Sequence, residues 1–368
     1  MARLRLSHRL LAHGLSAFAL TCALAGCGQS APASVPIEML GARYASTTCA
    51  LLHDCYGDAV LTALLGVSSI TACETRAEAS YVNGALPRYQ AAMTMGTLTY
   101  DGSYATDCLD AVHTLGCAAI TGRTPDACNQ LFIGHVALGG ACALDEECAG
   151  DAYCSAATAC PGTCQAFGGS GASCTRDQAC QQGLQCSNGS CQTPGGVGAS
   201  CQGTTGVDCT GGLICQGGTA SQTGTCASVA SVFSGASGAA CNLQMQQLCG
   251  TGLSCVVMGA TSQICGPDNL ASGAACRFAA PDQCQPGFYC HGATLAAAGV
   301  CTALPMSGAC ATVPFGASCA DGYTCESTTM MCVEVRDNGG ACTSNADCFG
   351  GHCTGSVCTA PTYCPTAP

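Results

Sequence analysis

The sequence predicts two architectures in series: an all-α domain pinned by disulfides, then small disulfide-rich repeats of short β-hairpins with little regular structure. Three observations carry this expectation. Thirty-eight of the 368 residues are cysteine. From Cys142 they recur in sets of four, opened by the signatures GGAC, GASC, GASC, GAAC, GAAC, SGAC and GGAC, which end at Cys142, Cys174, Cys201, Cys241, Cys276, Cys310 and Cys342. Helical spacing of apolar residues is confined to the segment before them.

The chain opens with Arg3, Arg5 and Arg9 and an apolar stretch from Leu10 to Ala25, the pattern of an export signal over residues 1–26. Its end, Leu24-Ala25-Gly26-Cys27, resembles the lipobox of bacterial lipoproteins. That resemblance implies cleavage before Cys27, lipidation of Cys27, and attachment to a membrane through that lipid. Gly28, where Asp would signal retention in the inner membrane, implies an outer-membrane or cell-surface site. The alternative is an ordinary signal in which Cys22 and Cys27 are incidental. No later apolar run approaches the ~20 residues of a spanning helix; the longest lies around Ala59–Val67. Residues 27–36 read as a tether.

All 10 basic residues are Arg, and removing the signal leaves 7 against 22 carboxylates. Such a surface repels phosphate backbones, so nucleic acid is not an expected partner. Trp is absent and aromatics make up 5%, too little for a large apolar core. Export supplies the oxidising compartment in which cysteines form bridges.

Residues 37–135 carry the helical expectation. Apolar spacing supports helices in Ile37–Tyr56 and Tyr104–Cys117. Thr71 with Glu74 fits a capping box for a helix through Ala79. Thr124-Pro125-Asp126 fits the start of a helix over Ala127–Phe132. Six cysteines, Cys49, Cys55, Cys73, Cys108, Cys117 and Cys128, pin this domain in one of 15 pairings.

Seven four-cysteine repeats occupy residues 139–358, followed by a tail, 359–368. Such an array is expected to make contacts mainly between neighbouring units. Five residues separate the second and third cysteines in Cys148/Cys154, Cys180/Cys186, Cys209/Cys215, Cys249/Cys255, Cys284/Cys290 and Cys319/Cys325, and four in Cys348/Cys353. Inside that gap Gly recurs at 183, 212, 252, 287, 322 and 351, which predicts a turn at positive φ. Asp151 holds the place in the first repeat.

A unit of about 30 residues cannot offset ~1–2 kcal/mol of backbone ordering per residue with so few apolar side chains. A bridge closing a 15-residue loop contributes ~3 kcal/mol. Crossed staples, first to third cysteine and second to fourth, are the more compact arrangement. They would join Cys174 to Cys186, Cys180 to Cys191, Cys201 to Cys215, Cys209 to Cys226, Cys241 to Cys255, Cys249 to Cys265, Cys276 to Cys290, Cys284 to Cys301, Cys342 to Cys353 and Cys348 to Cys358. Sequential pairing is the alternative. The pairing of Cys160, Cys164 and Cys364 stays open.

The pattern of GGACALDEECAGDAYC (Gly139–Cys154) and GGACTSNADCFGGHCTGSVC (Gly339–Cys358) resembles the N-terminal cysteine-rich region of Dickkopf proteins. The chain lacks the adjacent cysteine pair of the animal motif, so Dickkopf antagonism of Wnt co-receptors is not carried over. The whole layout is similar to a cysteine-rich lipoprotein type common in myxobacteria.

Other sites are weaker. Asp145-Glu146-Glu147, with Asp177, Asp208, Asp282 and Asp347, offers scattered oxygens for Ca²⁺, but a solvated acidic loop is the expected reading. Cys160 and Cys164 with His135 or His53 lack metal-ligand spacing, so no metal or other cofactor is expected. His113 lies near Asp107 and Asp110 on a helix. No hydrolase or phosphate-binding motif is found, and no catalytic residue or enzymatic activity is expected. Asn188-Gly189-Ser190 matches a glycosylation sequon but reads as a tight turn.

These features point to a surface-anchored, non-catalytic binding or adhesion module for a protein or glycan. Its contacts are expected in the loops Gln216–Thr225, Val256–Ile264 and His291–Val300, with Val256, Val257, Met258, Leu295 and Val300 either binding or covering a neighbouring repeat. The alternatives are an inhibitor of proteases or other secreted enzymes with Arg176 or Arg277 as anchor, and a structural envelope spacer.

Overall fold

The computed structural model describes residues 34–56, 67–119, 125–155, 161–202, 209–218, 222–242, 248–250, 252–259, 262–280, 282–311, 318–326 and 328–364. The expected export signal, Cys27 and the expected tether up to residue 33 lie outside them. Helices dominate the first part, and short, almost entirely antiparallel hairpins pinned by disulfides make up the rest.

The helical domain contains α1 (Ile37–Tyr56), α2 (Ile70–Ser80), α3 (Leu86–Thr94) and α4 (Ala105–Leu115). A π-helical turn, Tyr81–Ala85, joins α2 to α3. Strand β1 (Leu98–Tyr100) pairs antiparallel with β2 (Phe132–Gly134). Three bridges tie these elements: Cys49–Cys73 joins α1 to α2, Cys55–Cys117 joins α1 to the turn after α4, and Cys108–Cys128 holds α4 to the chain before β2. Leu40, Leu51, Ala105, Val112 and Leu131 pack around Cys55, Cys108 and Cys128, so the bridges are part of the core.

Two helix starts differ from expectation. α2 begins two residues early because Ser69, in extended backbone, caps it by accepting from the Ala72 N–H at 3.1 Å; Thr71 is already inside the helix. After Pro125 the chain makes only a 3₁₀ turn, Asp126–Gln130. Phe132 leaves it for β2, where its ring stacks on Tyr89 at 4.6 Å and meets Tyr100 at 5.3 Å. Aromatic burial there prevails over local helix signals.

In repeats two to seven the first cysteine bonds the third and the second bonds the fourth, from Cys174–Cys186 with Cys180–Cys191 to Cys342–Cys353 with Cys348–Cys358. Repeat one, which holds five cysteines, crosses Cys142–Cys154 with Cys148–Cys164, its second bonding its fifth. Third and fourth cysteines face each other across a hairpin, as in Cys186↔Cys191, Cys215↔Cys226 and Cys255↔Cys265. The cysteines are the buried centre of each unit, with little apolar material besides.

The opening signature has a geometric cause. Gly139 turns at φ 82°, where a side chain would strain the backbone. Its N–H then donates to the Cys164 carbonyl at 2.9 Å, and the Cys164 N–H donates back to Gly140 at 2.9 Å. The same lock recurs at Gly171, Gly198, Gly238, Gly273 and Gly339; in the sixth repeat, which opens with Ser307, the positive φ moves to Gly308. The second recurring glycine, at 183, 212, 252, 287, 322 and 351, has φ between 70 and 83°. The first repeat departs: Gly150 takes the positive φ, 69°, and Asp151 does not. The turn slides by one residue to the position that lacks a Cβ.

The array is more than a row of neighbours. Repeat one docks on α3 and β1, where Arg88 Nη2 donates to the Ala143 carbonyl at 2.9 Å, Tyr89 donates to Glu146 at 3.1 Å, and Thr97 donates to Glu147 at 2.5 Å. Later repeats return to the same domain. Ser68 donates to Asp321 of repeat six. Asn83 exchanges hydrogen bonds of 2.7–2.9 Å with Asp337 and Asn338 at the start of repeat seven. Tyr363 of the tail donates to Glu147 and packs with Leu98, Leu144, Met93 and Phe132. The helical domain alone leaves this aromatic face uncovered; the first repeat and the tail close over it.

Candidate binding surfaces

The acidic residues of the repeats are structural. In repeats one, two and seven the residue three after the first cysteine accepts the N–H of the third: Cys154 to Asp145 at 2.8 Å, Cys186 to Asp177 at 2.7 Å, and Cys353 to Asn345 at 2.8 Å. Asp282 does the same in repeat five, taking Cys284 on one oxygen and Cys290 on the other, both at 3.0 Å. Glu147 has no exposed surface, and its second oxygen takes the Ala143 and Leu144 N–H groups at 2.6 and 2.8 Å. Asp347 is its counterpart with Thr343 and Ser344. Asp145-Glu146-Glu147 is therefore not a solvated loop. Its oxygens are engaged within the chain, by backbone donors at Asp145 and Glu147 and by the side chains of Arg176, Tyr89, Thr97 and Tyr363. Asp208 lies outside the described residues.

These environments set the acidities. Burial pushes Asp282 above the usual carboxylate range, against the backbone donors that lower it. At Asp347 burial also acts upward, but the donors from Thr343 and Ser344 outweigh it and hold the carboxyl low. Glu146 is raised, first by burial: its side chain reaches the surface in part, yet its carboxyl sits among protein atoms and beside Asp145. A carboxyl raised in the folded state favours folding below its unfolded pKa, and loses that contribution as pH rises through the folded value. Glu146→Gln, which keeps an acceptor for Tyr89, is expected to melt above the parent at pH 7. The difference should vanish near pH 4, as read by thermal unfolding at both values.

The remaining candidates separate. Cys164 bonds Cys148, so it is no thiolate ligand. His135 Nε2 lies 2.7 Å from the Thr99 hydroxyl, and His53 Nδ1 lies 3.3 Å from Asp54; Cys160 is outside the described residues. Triplets of sulfurs within 4.8 Å recur, as at Cys142, Cys148 and Cys164, but they belong to two crossed bridges. His113 is exposed on α4, as are Asp107 and Asp110. Asn188 and Gly189, at φ 49 and 78°, form the tight turn between Cys186 and Cys191. Cys364 is buried and disulfide-bonded.

The loop residues divide. Val256 and Val257 are buried because their strand pairs with Ala279 and Ala280 of repeat five. Met258, Leu295 and Val300 stay 46%, 54% and 48% exposed. Leu295 sits in an ordered loop, where the Thr294 hydroxyl accepts from the Ala296 and Ala297 N–H groups at 3.3 and 2.9 Å. Arg176, one proposed anchor, is engaged within the chain: Nη2 donates to Asp145 at 2.5 Å and to the Cys154 carbonyl, and the guanidinium lies over the Tyr153 ring. Arg277 is half-buried.

A cleft of about 290 Å³ opens where α3, repeat one and repeat two meet, lined by Arg88, Tyr89, Leu144, Asp145, Glu146 and Arg176 among others. Sequence reasoning missed it, because its residues are dispersed over more than 80 positions and no motif links them.

Residues 141–192, the first repeat and most of the second, match the Dickkopf N-terminal cysteine-rich region. No curated protein and no solved structure matches the chain. The first two repeats thus resemble Dickkopf cysteine-rich modules, of a kind suited to an extracellular setting, and the later repeats share their crossed bridging. Among the described residues no helix is long and apolar enough to cross a membrane.

Proposed function

We propose that this protein is a non-catalytic binding module, held on the outer membrane or cell surface by lipid on Cys27, whose hairpin loops engage a protein or glycan. The observation that carries the reading is Leu295, a large apolar side chain more than half exposed on a loop fixed by the crossed bridges and by Thr294. Leu295 is one of several large apolar side chains left exposed on the later repeats, with Met258, Val300 and Met306, and a pre-organised loop loses little entropy on binding. The lipobox-like end of the signal supports the anchor, and the density of bridges supports an oxidising compartment.

The inhibitor alternative is weakened by the internal contacts of Arg176. Two measurements test the proposal. Cys27→Ser should move the protein from the membrane fraction to the soluble one. Met258→Ser combined with Leu295→Ser should lower binding of the purified protein to intact cells at least tenfold without lowering its melting temperature. Membrane attachment surviving Cys27→Ser refutes the anchor, and unchanged cell binding by the double variant refutes the loop surface.

A further inference from the structure

The cleft between α3 and the first two repeats brings two Arg together beside two carboxylates, Asp145 and Glu146. The chain after the signal carries 7 Arg against 22 carboxylates, yet two of those Arg line this one cleft. Arg88 reaches it from α3, with Nη2 on the Ala143 carbonyl. Its Nε is buried without a hydrogen-bond partner, a group whose desolvation is costly when left unmatched. Arg176 reaches it from repeat two, and both of its hydrogen bonds leave from the same nitrogen, Nη2. Among the described residues its Nε and Nη1 make no hydrogen bond. Asp145 offsets one positive charge, at 2.5 Å from Arg176.

We propose that this cleft binds a small ligand of monosaccharide or dipeptide size through a carboxylate, with Arg88 and Arg176 as its donors. Planar guanidinium groups match a carboxylate two bonds at a time, and more strongly than neutral donors do. The volume, about 290 Å³, is at the lower end of small-molecule sites. Tyr89 and Glu146 complete the lining. Burial raises Glu146 above the usual carboxylate range, and its Oε1 accepts from the Tyr89 hydroxyl. The site is distinct from the loops around Met258 and Leu295, so this inference does not depend on the adhesion reading or on the anchor.

The test uses the mature chain with its bridges intact. Calorimetric titration is run with D-glucuronate and with N-acetyl-alanyl-alanine, each beside its neutral counterpart, glucose and the dipeptide amide. At least one acid should bind saturably, and at least tenfold more tightly than its neutral counterpart. Which acid binds tells a sugar-acid source from a peptide chain end. Arg88→Gln and Arg176→Gln should each weaken that binding tenfold or more, Glu146→Gln should maintain or strengthen it, and Arg277→Gln should leave it unchanged. Circular dichroism and bridge mapping confirm that each variant is folded. Should Arg88→Gln disturb docking of repeat one, Arg176→Lys serves as the second variant: it keeps the charge, loses the planar fork, and should still weaken binding. Failure of both acids to bind, equal binding of the neutral compounds, or full binding by folded Arg176→Gln overturns the proposal.

Discussion

Replacing Glu147 with alanine is expected to destabilise the protein by at least about 3 kcal/mol, the largest effect of any single side chain outside the cysteines. Glu147 is fully buried and accepts from Ala143, Leu144, Thr97 and Tyr363. Each buried donor left without an acceptor costs about 1–3 kcal/mol, and the small cavity created offers only partial relief by water. Glu147→Gln should lie between alanine and the parent, since one oxygen is kept and an N–H₂ group meets donors. The damage should begin locally, at the junction of repeat one with β1 and the tail. Chemical denaturation, with proteolysis mapped around residue 144, measures both the size and the place of the effect. A loss below 1 kcal/mol would mean that Glu147 is not what joins these three segments.

The second large effect is expected from the tail. Deleting residues 362–368 removes Tyr363, whose phenol is pushed up to about 12 by burial and by its bond to Glu147, and also the bridged Cys364. Among the described residues, the hydrogen bonds still holding the far end of the array to the helical domain would be those of Asn83 with Asp337 and Asn338 and of Ser68 with Asp321. Those are a few hydrogen bonds worth about 0.5–1.5 kcal/mol each. Repeats six and seven should detach and re-attach freely. Small-angle scattering should show a larger radius of gyration, while every crossed bridge of the repeats persists. An unchanged radius would show that the tail does not fasten the array.

These contacts explain which parts of the structure were legible in advance. The helix Ile37–Tyr56 was readable because twenty residues keep one apolar spacing. The glycines at 183, 212 and 287 were readable because positive φ is a local demand, independent of what surrounds the repeat. Asp151 misled for the same reason turned round: a fixed count from Cys148 assumes a rigid gap, whereas the turn followed Gly150. The acids were the subtler case. Asp145, Asp177 and Asn345 share one offset from the first cysteine, a regularity visible in the sequence, but charge draws attention to ligands before it suggests a cap for an N–H group. The return of the array to the helical domain left no trace at all. It rests on single polar side chains, Asn83, Thr97 and Tyr363, far apart in the chain and without period. The Asn83 carbonyl has no α-helical donor because Pro87, four residues on, lacks an N–H, and it accepts from Asn338; the sequence shows the first fact but not the distant donor.

The central claim is that crossed sulfur–sulfur links take the place of an apolar interior from Cys142 to Cys358. Peptide mapping of the unreduced mature protein by mass spectrometry tests it most directly. The account predicts Cys142 with Cys154, Cys148 with Cys164, and the same alternation through Cys342 with Cys353 and Cys348 with Cys358. Fragments joining Cys142 to Cys148 and Cys154 to Cys164, or free thiols at those positions, would contradict it.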